Sequence, residues 1–414
     1  MYTMIYVALV VVSSFYLLCI LRSILSIISI ITNSYRKLWR KPIVHSNPHE
    51  PKILNILVVV PLYIEEEYDI KVTLESIARQ KYPKNSLLIA IVVEEEDKRT
   101  IDNVYRVLNY ENLLLNRIKD RIIILKKPPP RTSKASAINY VIKNVEYGDV
   151  ICILDGGDYL VDEYHMARAV SLINKGYDVV GSQVLRLGES IIGKLSYLDT
   201  LIWVKIGLPS IASILGIPLV SGEGLFIRRK TLQRIGYLPP NLLTEDAYLA
   251  IPSLHFNIKV AHLDSKVYES TPANILSLVK QRLRWYKGHL QCLLIALKQR
   301  GISLLGKAKL VLAYCNPLII TSVLIAYIYT LLTLVGVFPY TLLFPCSIIV
   351  ILSTYTAPLY TLNIVPRGVR KITILLPFYW LLLSLVSTTA LIYPLKIKWY
   401  KTLRGQKSRV VNKL

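Results

Sequence analysis

Two short stretches carry residue types that can do chemistry together. Leu243-Thr244-Glu245-Asp246 is an acidic pair on an apolar background, and Gln281-Arg282-Leu283-Arg284-Trp285 follows it with two guanidiniums and an indole. A carboxylate can take a proton from a hydroxyl, while paired guanidiniums and an indole can hold a phosphorylated leaving group and a sugar face. Both stretches precede a run of membrane-length apolar segments, an order that points to chemistry at a membrane surface. Each also has a plainer reading. Thr244-Glu245-Asp246 suits the N-terminus of a helix, and the Gln-Arg stretch suits a basic helix snorkelling at an interface, with Trp285 as its anchor.

The elements that must position these residues are visible in the hydrophobic pattern. Ile53 to Val60, Leu87 to Val93, Ile122 to Leu125 and Val150 to Leu154 are short buried-type runs that read as strands. Glu67 to Gln80, Ile101 to Leu115 and Ala135 to Asn144 carry helical spacing between them. Strands alternating with helices predict an α/β fold with a doubly wound, Rossmann-like sheet, in which ligands bind at the carboxyl ends of the strands. The acidic residues lie at those ends. Ile191 to Leu219 is apolar but interrupted by Lys194, Asp199 and Lys205, so an amphipathic segment on the membrane or over the site is expected in preference to a spanning helix.

The chain has 414 residues, of which 53% are hydrophobic, too apolar for a purely soluble protein of this length. The apolar residues gather in Ile5 to Ile31 and again from about Lys309 to Val335, Tyr340 to Ile364 and Ile372 to Leu395. Each block is near or above the roughly 20 residues that a helix needs to cross a bilayer core. Arg36, Lys37, Arg40 and Lys41 follow the first block, which places the middle of the chain in the cytoplasm by the positive-inside rule. Three later spans would leave the tail outside, against the preference of Lys396, Lys398, Lys401, Arg404, Lys407, Arg409 and Lys413, and the count of spans stays open. The net charge of +23 is spread along the chain without a zinc-finger or RNA-binding signature. Anionic lipid headgroups and substrate phosphates account for it, and no nucleic-acid partner is expected. The five cysteines are far apart in apolar surroundings and read as core thiols.

Six motifs, in order, resemble the membrane-integrated family 2 glycosyltransferases, the group of cellulose, chitin and hyaluronan synthases. They are Val60 to Glu65, Lys134-Ala135 with Asn139, Leu154 to Asp158, Gly222 to Arg229, Thr244-Glu245-Asp246 and Gln281 to Trp285. Gly222-Glu223-Gly224, Glu245-Asp246-Ala247 and Glu269 to Pro272 look most similar to the egghead-type β-mannosyltransferases. The resemblance implies a GT-A nucleotide-sugar-binding domain at 50–300 with interfacial helices. Around it would lie an N-terminal transmembrane anchor at 1–35, a C-terminal membrane region of about three apolar segments at 306–395 and a basic tail at 396–414.

The activity so implied is inverting transfer of a sugar from a UDP-sugar or GDP-mannose donor to a lipid-linked or glycan acceptor at the cytoplasmic membrane face. A processive polysaccharide synthase and a non-catalytic membrane scaffold with the same fold are the alternatives. By motif position Asp246 is the base and Glu245 an acceptor contact. Pro61, Tyr63, Glu65, Glu95, Lys134 and Asp155 serve the donor, and Gln281, Arg282, Arg284 and Trp285 serve the diphosphate and the acceptor ring. A divalent ion, Mg²⁺ or Mn²⁺, would sit at Asp155. The family usually has its second acid two residues on, where this chain has Gly157, so either Asp158 supplies the other metal carboxylate through a shifted loop or metal binding is weaker and more dependent on water. Ile64 likewise replaces the usual Asn.

Overall fold

The computed structural model describes residues 2–38, 52–110, 112–217, 219–362, 365–393 and 402. It forms two compact units. One comprises Met1–Trp39, Leu187–Ile217 and Thr271–Leu414, and the other Arg40–Arg186 and Pro218–Ser270. Of the basic residues used above for topology, Arg40, Lys41 and those from Lys396 onward lie outside the described residues.

The second unit is an α/β layer structure around eight strands: β1 (Ile56–Leu62), β2 (Leu87–Glu94), β3 (Ile122–Lys127), β4 (Val150–Ile153), β5 (Tyr159–Leu160), β6 (Val179–Leu187), β7 (Leu225–Arg228) and β8 (Val260–Ser270). Their order in the sheet is β3-β2-β1-β4-β7-β6-β8-β5. β1 is parallel to β2 and β4, and β2 to β3, as the alternation of strands and helices implies. The other half departs from a doubly wound sheet. β7 runs antiparallel to both β4 and β6, and β5 antiparallel to β8, so the sheet is mixed. β7 has only four residues and β5 two, too few to display any period in the sequence.

Both faces of the parallel half are covered, which is why β1 is apolar throughout. Ile56, Val58 and Val60 share one core with Ile70, Leu74 and Ile77 of the helix Glu67–Ala78. Leu57 and Val59 point the other way, into a core with Ile138, Val141 and Ile142 of the helix Lys134–Asn144. Burial of each such side chain stabilises the unit by about 1.5–3 kcal/mol. Because side chains alternate along a strand, a slip of one residue in β1 would exchange the two cores.

The other unit is helical. Tyr2–Leu38, Asn316–Leu334 and Leu343–Thr361 meet around Tyr16, Cys19, Ala326 and Val350. Asn316–Leu334 also packs against Leu376–Ile392, where the Ser387 hydroxyl donates to the Pro317 carbonyl at 2.6 Å. Among the described residues two helices, Asn316–Leu334 and Arg367–Ile392, are long and apolar enough to cross a membrane. Tyr6–Leu21 and Leu343–Tyr355 are shorter apolar stretches within the helices Tyr2–Leu38 and Leu343–Thr361. Ile191–Ile202 is a regular helix that continues through two π turns, Trp203–Gly207 and Ile211–Leu215, separated by Leu208–Ser210, and stops at Gly216 in the left-handed conformation.

Three described non-glycine residues of the α/β unit have positive φ, Ile64, Tyr237 and Asn257, and of these only Ile64 is β-branched. Ile64, just beyond β1, has φ +50°, where a β-branched side chain is disfavoured. Its amide donates to Asp97 Oδ2 at 2.6 Å, which holds the turn in place. The family's Asn tolerates this region, so the substitution there costs backbone energy that Asn would not. Ile64→Asn is expected to stabilise the protein by about 1 kcal/mol, seen as a higher midpoint in thermal or denaturant unfolding.

Candidate active site

The loop after β4 presents the first carboxylate. Leu154 N–H donates to the Val59 carbonyl at 3.1 Å, which keeps the chain beside β1 as it leaves the strand. Gly156 then passes so close to Glu65 and Leu62 that a Cβ there would lie 2.6 Å from Glu65 Cδ. Gly157, at φ +86°, turns the chain inward. Asp158 is therefore fully buried, and its Oδ2 accepts the Asp155 amide at 2.7 Å. Its carboxylate braces the loop from inside, and Asp155 is the acid left facing outward, with its side chain 21% exposed.

Lys134 draws Asp155 and the buried Glu245 together. It opens the helix Lys134–Asn144, whose N-terminus is capped by Ser133 Oγ accepting from Ser136 N at 3.1 Å. Its Nζ lies 2.6 Å from Asp155 Oδ1 and 3.6 Å from Glu245 Oε1. Burial alone would lower the Lys134 pKa, but the carboxylates of Asp155, Glu245 and Glu223 outweigh it and raise it, so the ammonium keeps its charge. Glu245 and Asp246 begin a short helix, Glu245–Tyr248. Thr244 makes no side-chain capping bond there, so the helix-cap reading of this motif is not what the structure uses. Asp246 Oδ1 accepts the Ala247 amide at 2.9 Å, and the side chain stays half-buried. Gly222 lies against it: a Cβ at Gly222 would sit 3.4 Å from both Asp246 Cβ and Lys134 Nζ.

The remaining donor candidates lie at the ends of β1 and β2, on the same edge of the parallel half. Pro61 is in β1 opposite Val92, and the Tyr63 ring carries the Arg131 guanidinium 3.6 Å from its centroid. Glu65 is buried against Gly156, its N–H donating to Thr100 Oγ1 and its carbonyl accepting from Asn103 Nδ2. In the acidic run Glu94 is taken by a buried pair with Lys127 at 3.1 Å, whereas Glu95 is exposed. That contrast separates the two neighbours where composition cannot.

The Gln281 to Trp285 motif lies within the long helix Ile275–Lys298 of the helical unit. Gln281 and Arg282 are buried. Arg282 is paired with Asp199 at 2.7 Å, donates to Tyr379 Oη at 3.3 Å and lies 4.5 Å from the centroid of the Trp285 ring. Trp380 Nε1 donates to the same Asp199 at 3.1 Å. Arg282 thus ties three helices together. Arg284 and Trp285 are half-buried on the same helix.

Sequence reasoning missed a second charged group in the α/β unit. Arg186 on β6 lies 2.7 Å from Glu269 on β8 and 3.5 Å from Glu223 on the Gly222-Gly224 loop. Burial, then the neighbouring Glu269, push Glu223 up to about 7, against the pull of Arg186 and Lys134. The signal available was a glutamate between two glycines, which marks a close backbone approach without showing what approaches. His165 was missed as well. It is wholly buried between Ser265 and Ser182, and burial holds its pKa down to about 4.

The outward-facing donors are all carboxylate oxygens, which suit Mg²⁺ or Mn²⁺. Among the described residues no group of three His, Cys, Asp or Glu stands together as a metal cage. Asp155 fits the other arrangement, in which the protein gives one carboxylate and phosphate and water complete the shell.

Comparisons with known proteins agree with this architecture. The family described as "Glycosyltransferase like family 2" matches residues 51–288. A Bacillus subtilis (strain 168) protein named "Probable glycosyltransferase YdaM" is 23% identical over 238 residues, or 56% of this chain and 55% of its own length. The chain thus spans about half the length of that relative. The poly-β-1,6-N-acetyl-D-glucosamine synthase of Staphylococcus epidermidis is 22% identical over 301 residues, 67% of this chain and 68% of that one. Among solved structures, a mannosyltransferase from Pyrobaculum calidifontis in complex with GDP-Man and Mn²⁺ superposes with a TM-score of 0.59 at 17% identity, covering 91% of this chain and 98% of that one. The shared fold is a mixed α/β GT-A sheet.

Removing one partner of a buried ion pair strands the other charge. Arg282→Ala and Asp199→Ala are each expected to cost about 3–5 kcal/mol. The double variant should cost less than their sum, which a double-mutant cycle on unfolding midpoints would read as a coupling of about 1–3 kcal/mol.

Proposed function

The chain belongs to the glycosyltransferase-like family 2, and from that premise we propose that it transfers a sugar, with inversion, from a nucleotide-sugar donor to a lipid-linked or glycan acceptor at the cytoplasmic face of a membrane. The observation that carries this reading is the gathering of Asp155, Glu245 and Asp246 around Lys134, from three distant parts of the chain. GDP-mannose and UDP-N-acetylglucosamine are the donors to try first, because GDP-Man is bound in the mannosyltransferase of similar fold and N-acetylglucosamine is polymerised by one relative.

In this reading the acceptor hydroxyl gives its proton to Asp246 as its oxygen forms the new bond to the anomeric carbon. The bond from that carbon to the phosphate oxygen breaks on the opposite face, and its electron pair leaves with the nucleoside diphosphate. Lys134 is a fixed cation for the charge that develops on the departing oxygen, where preorganised charge is most effective. Glu245 stands beside the base and contacts the acceptor. Pro61, Tyr63, Glu65 and Glu95 hold the nucleoside end, with Tyr63 kept in place by Arg131. A divalent cation bound at Asp155 would neutralise diphosphate charge. By motif, Arg284 and Trp285 serve the diphosphate and an acceptor ring, and the two long apolar helices anchor the protein in the bilayer.

A second reading, processive synthesis of a polysaccharide, is favoured by one observation, the two-thirds coverage by a polysaccharide synthase. Product length resolved by mass spectrometry separates the two: one added sugar for single transfer, a ladder for processive synthesis.

Asp246→Asn is expected to lower the rate of transfer at least about a hundredfold, the scale of a lost general base, with the donor Kd moved less than threefold in calorimetry. Unchanged turnover would remove Asp246 as the base. Asp155→Ala is expected instead to weaken donor binding and to abolish any Mn²⁺ dependence of that binding.

A further inference from the structure

Resting on the glycosyl-transfer reading above, we propose that Glu223 is a further substrate-contacting residue of this site, exchanging hydrogen bonds with a sugar hydroxyl beside Asp246. The loop that carries it is fixed on both sides. Gly222 abuts Asp246 and Lys134, closely enough that a side chain there would touch both. Gly224, at φ +61°, donates its N–H to the Ile153 carbonyl at 2.9 Å, and its carbonyl accepts from Ser182 Oγ at 2.5 Å. A Cβ at Gly224 would meet Val267 Cγ2 at 2.6 Å, so this backbone position admits glycine alone.

The proton arrangement behind Gly224 follows from counting donors. Ser182 has one hydroxyl proton, and the Gly224 carbonyl takes it. Ser182 must then accept from His165 Nε2, 2.8 Å away, so Nε2 carries the imidazole hydrogen. Nδ1 is the acceptor, and the Ser265 hydroxyl donates to it at 2.6 Å. With its pKa at about 4 the ring stays neutral near pH 7, and this chain of bonds keeps one direction. His165 and Ser182 are positioning residues for the loop. They fix the backbone that carries Glu223, whose carboxylate lies 3.5 Å from Arg186.

The charges around Glu223 decide what it can offer. Arg186 faces it from β6, Glu269 from β8, Lys134 from the helix Lys134–Asn144 and Asp155 from the loop after β4. Arg186 sits closer to Glu269 than to Glu223, so Glu223 is the less neutralised of the two acids, and burial beside Glu269 raises its pKa well above the usual carboxylate range. A carboxylate can only accept, whereas a carboxylic acid donates as well. A sugar hydroxyl, itself donor and acceptor, is the complementary group.

The test uses the full chain in detergent or lipid nanodiscs. Infrared difference titration without substrate should show a carboxyl losing its proton near pH 7, and Glu223→Gln should remove that signal. Glu223→Ala is expected to lower kcat/KM for transfer about tenfold, the loss of one hydrogen bond. Glu223→Gln should recover part of that loss and flatten the pH profile between 6 and 8. A change in the donor KM assigns the hydroxyl to the donor sugar, and a change in the acceptor KM assigns it to the acceptor. The proposal is overturned if the infrared signal persists in Glu223→Gln, or if Glu223→Ala matches the wild type in both KM values and kcat. Should the Ala variant fail to fold, Glu269→Gln serves instead. Loss of that neighbouring charge must move the titration to lower pH, and an unmoved titration also overturns the proposal. A wild type that transfers no sugar from any nucleotide donor overturns the substrate contact together with the reading it rests on, while the titration still reports whether the proton is there.

Discussion

A single ammonium group organises the candidate site. Lys134 stands at the start of a helix, where the backbone dipole disfavours a cation, yet it is held there by Asp155 and Glu245. Without that charge, acids from the β4 loop and the Glu245 helix would repel one another in a partly dry space. The elements that deliver them are correspondingly rigid. β4 lies between a parallel and an antiparallel neighbour, β1 and β7, and β7 begins directly after the Gly222-Gly224 loop. Strand order reverses between β1 and β4, and Asp155 follows β4 at the carboxyl end, the kind of place where open α/β sheets bind ligands.

Much of this arrangement was legible in the residues. The four parallel strands and the three helices between them follow from apolar runs of the right length, because a strand covered on both faces has no polar positions to hide. Asp155, Lys134, Glu245 and Asp246 were each named from motifs, and Lys134 Nζ lies 2.6 Å from Asp155 and 3.6 Å from Glu245. The antiparallel half was not legible, since β5 and β7 are shorter than any period. Nor was the inward turn of Asp158, which depends on the sign of one φ angle at Gly157. Glu223, Glu269 and Arg186 come from segments far apart in sequence, and nothing local marks them as neighbours.

Arg282 has surroundings that its motif did not announce. A guanidinium has five donors, and Asp199 and Tyr379 engage it in a buried setting that also contains Trp285 and Trp380. Such a cluster is costly to desolvate and gains little net stability over an apolar one. What it supplies is register. Asp199 has Arg282 and Trp380 as partners, so the helices that carry them cannot slide or rotate independently.

The two π turns after Asp199 bear on how related chains should be aligned. A π turn closes its hydrogen bond one residue later than an α turn, as the Leu208 amide does to the Trp203 carbonyl, and so takes up one extra residue without lengthening the helix by a full step. Loss of one residue at either turn would restore an ordinary helix and leave the flanking faces in phase, whereas the same loss within Ile191–Ile202 would rotate Asp199 by about 100° away from Arg282. Single-residue gaps among homologues therefore belong at Trp203–Gly207 or Ile211–Leu215.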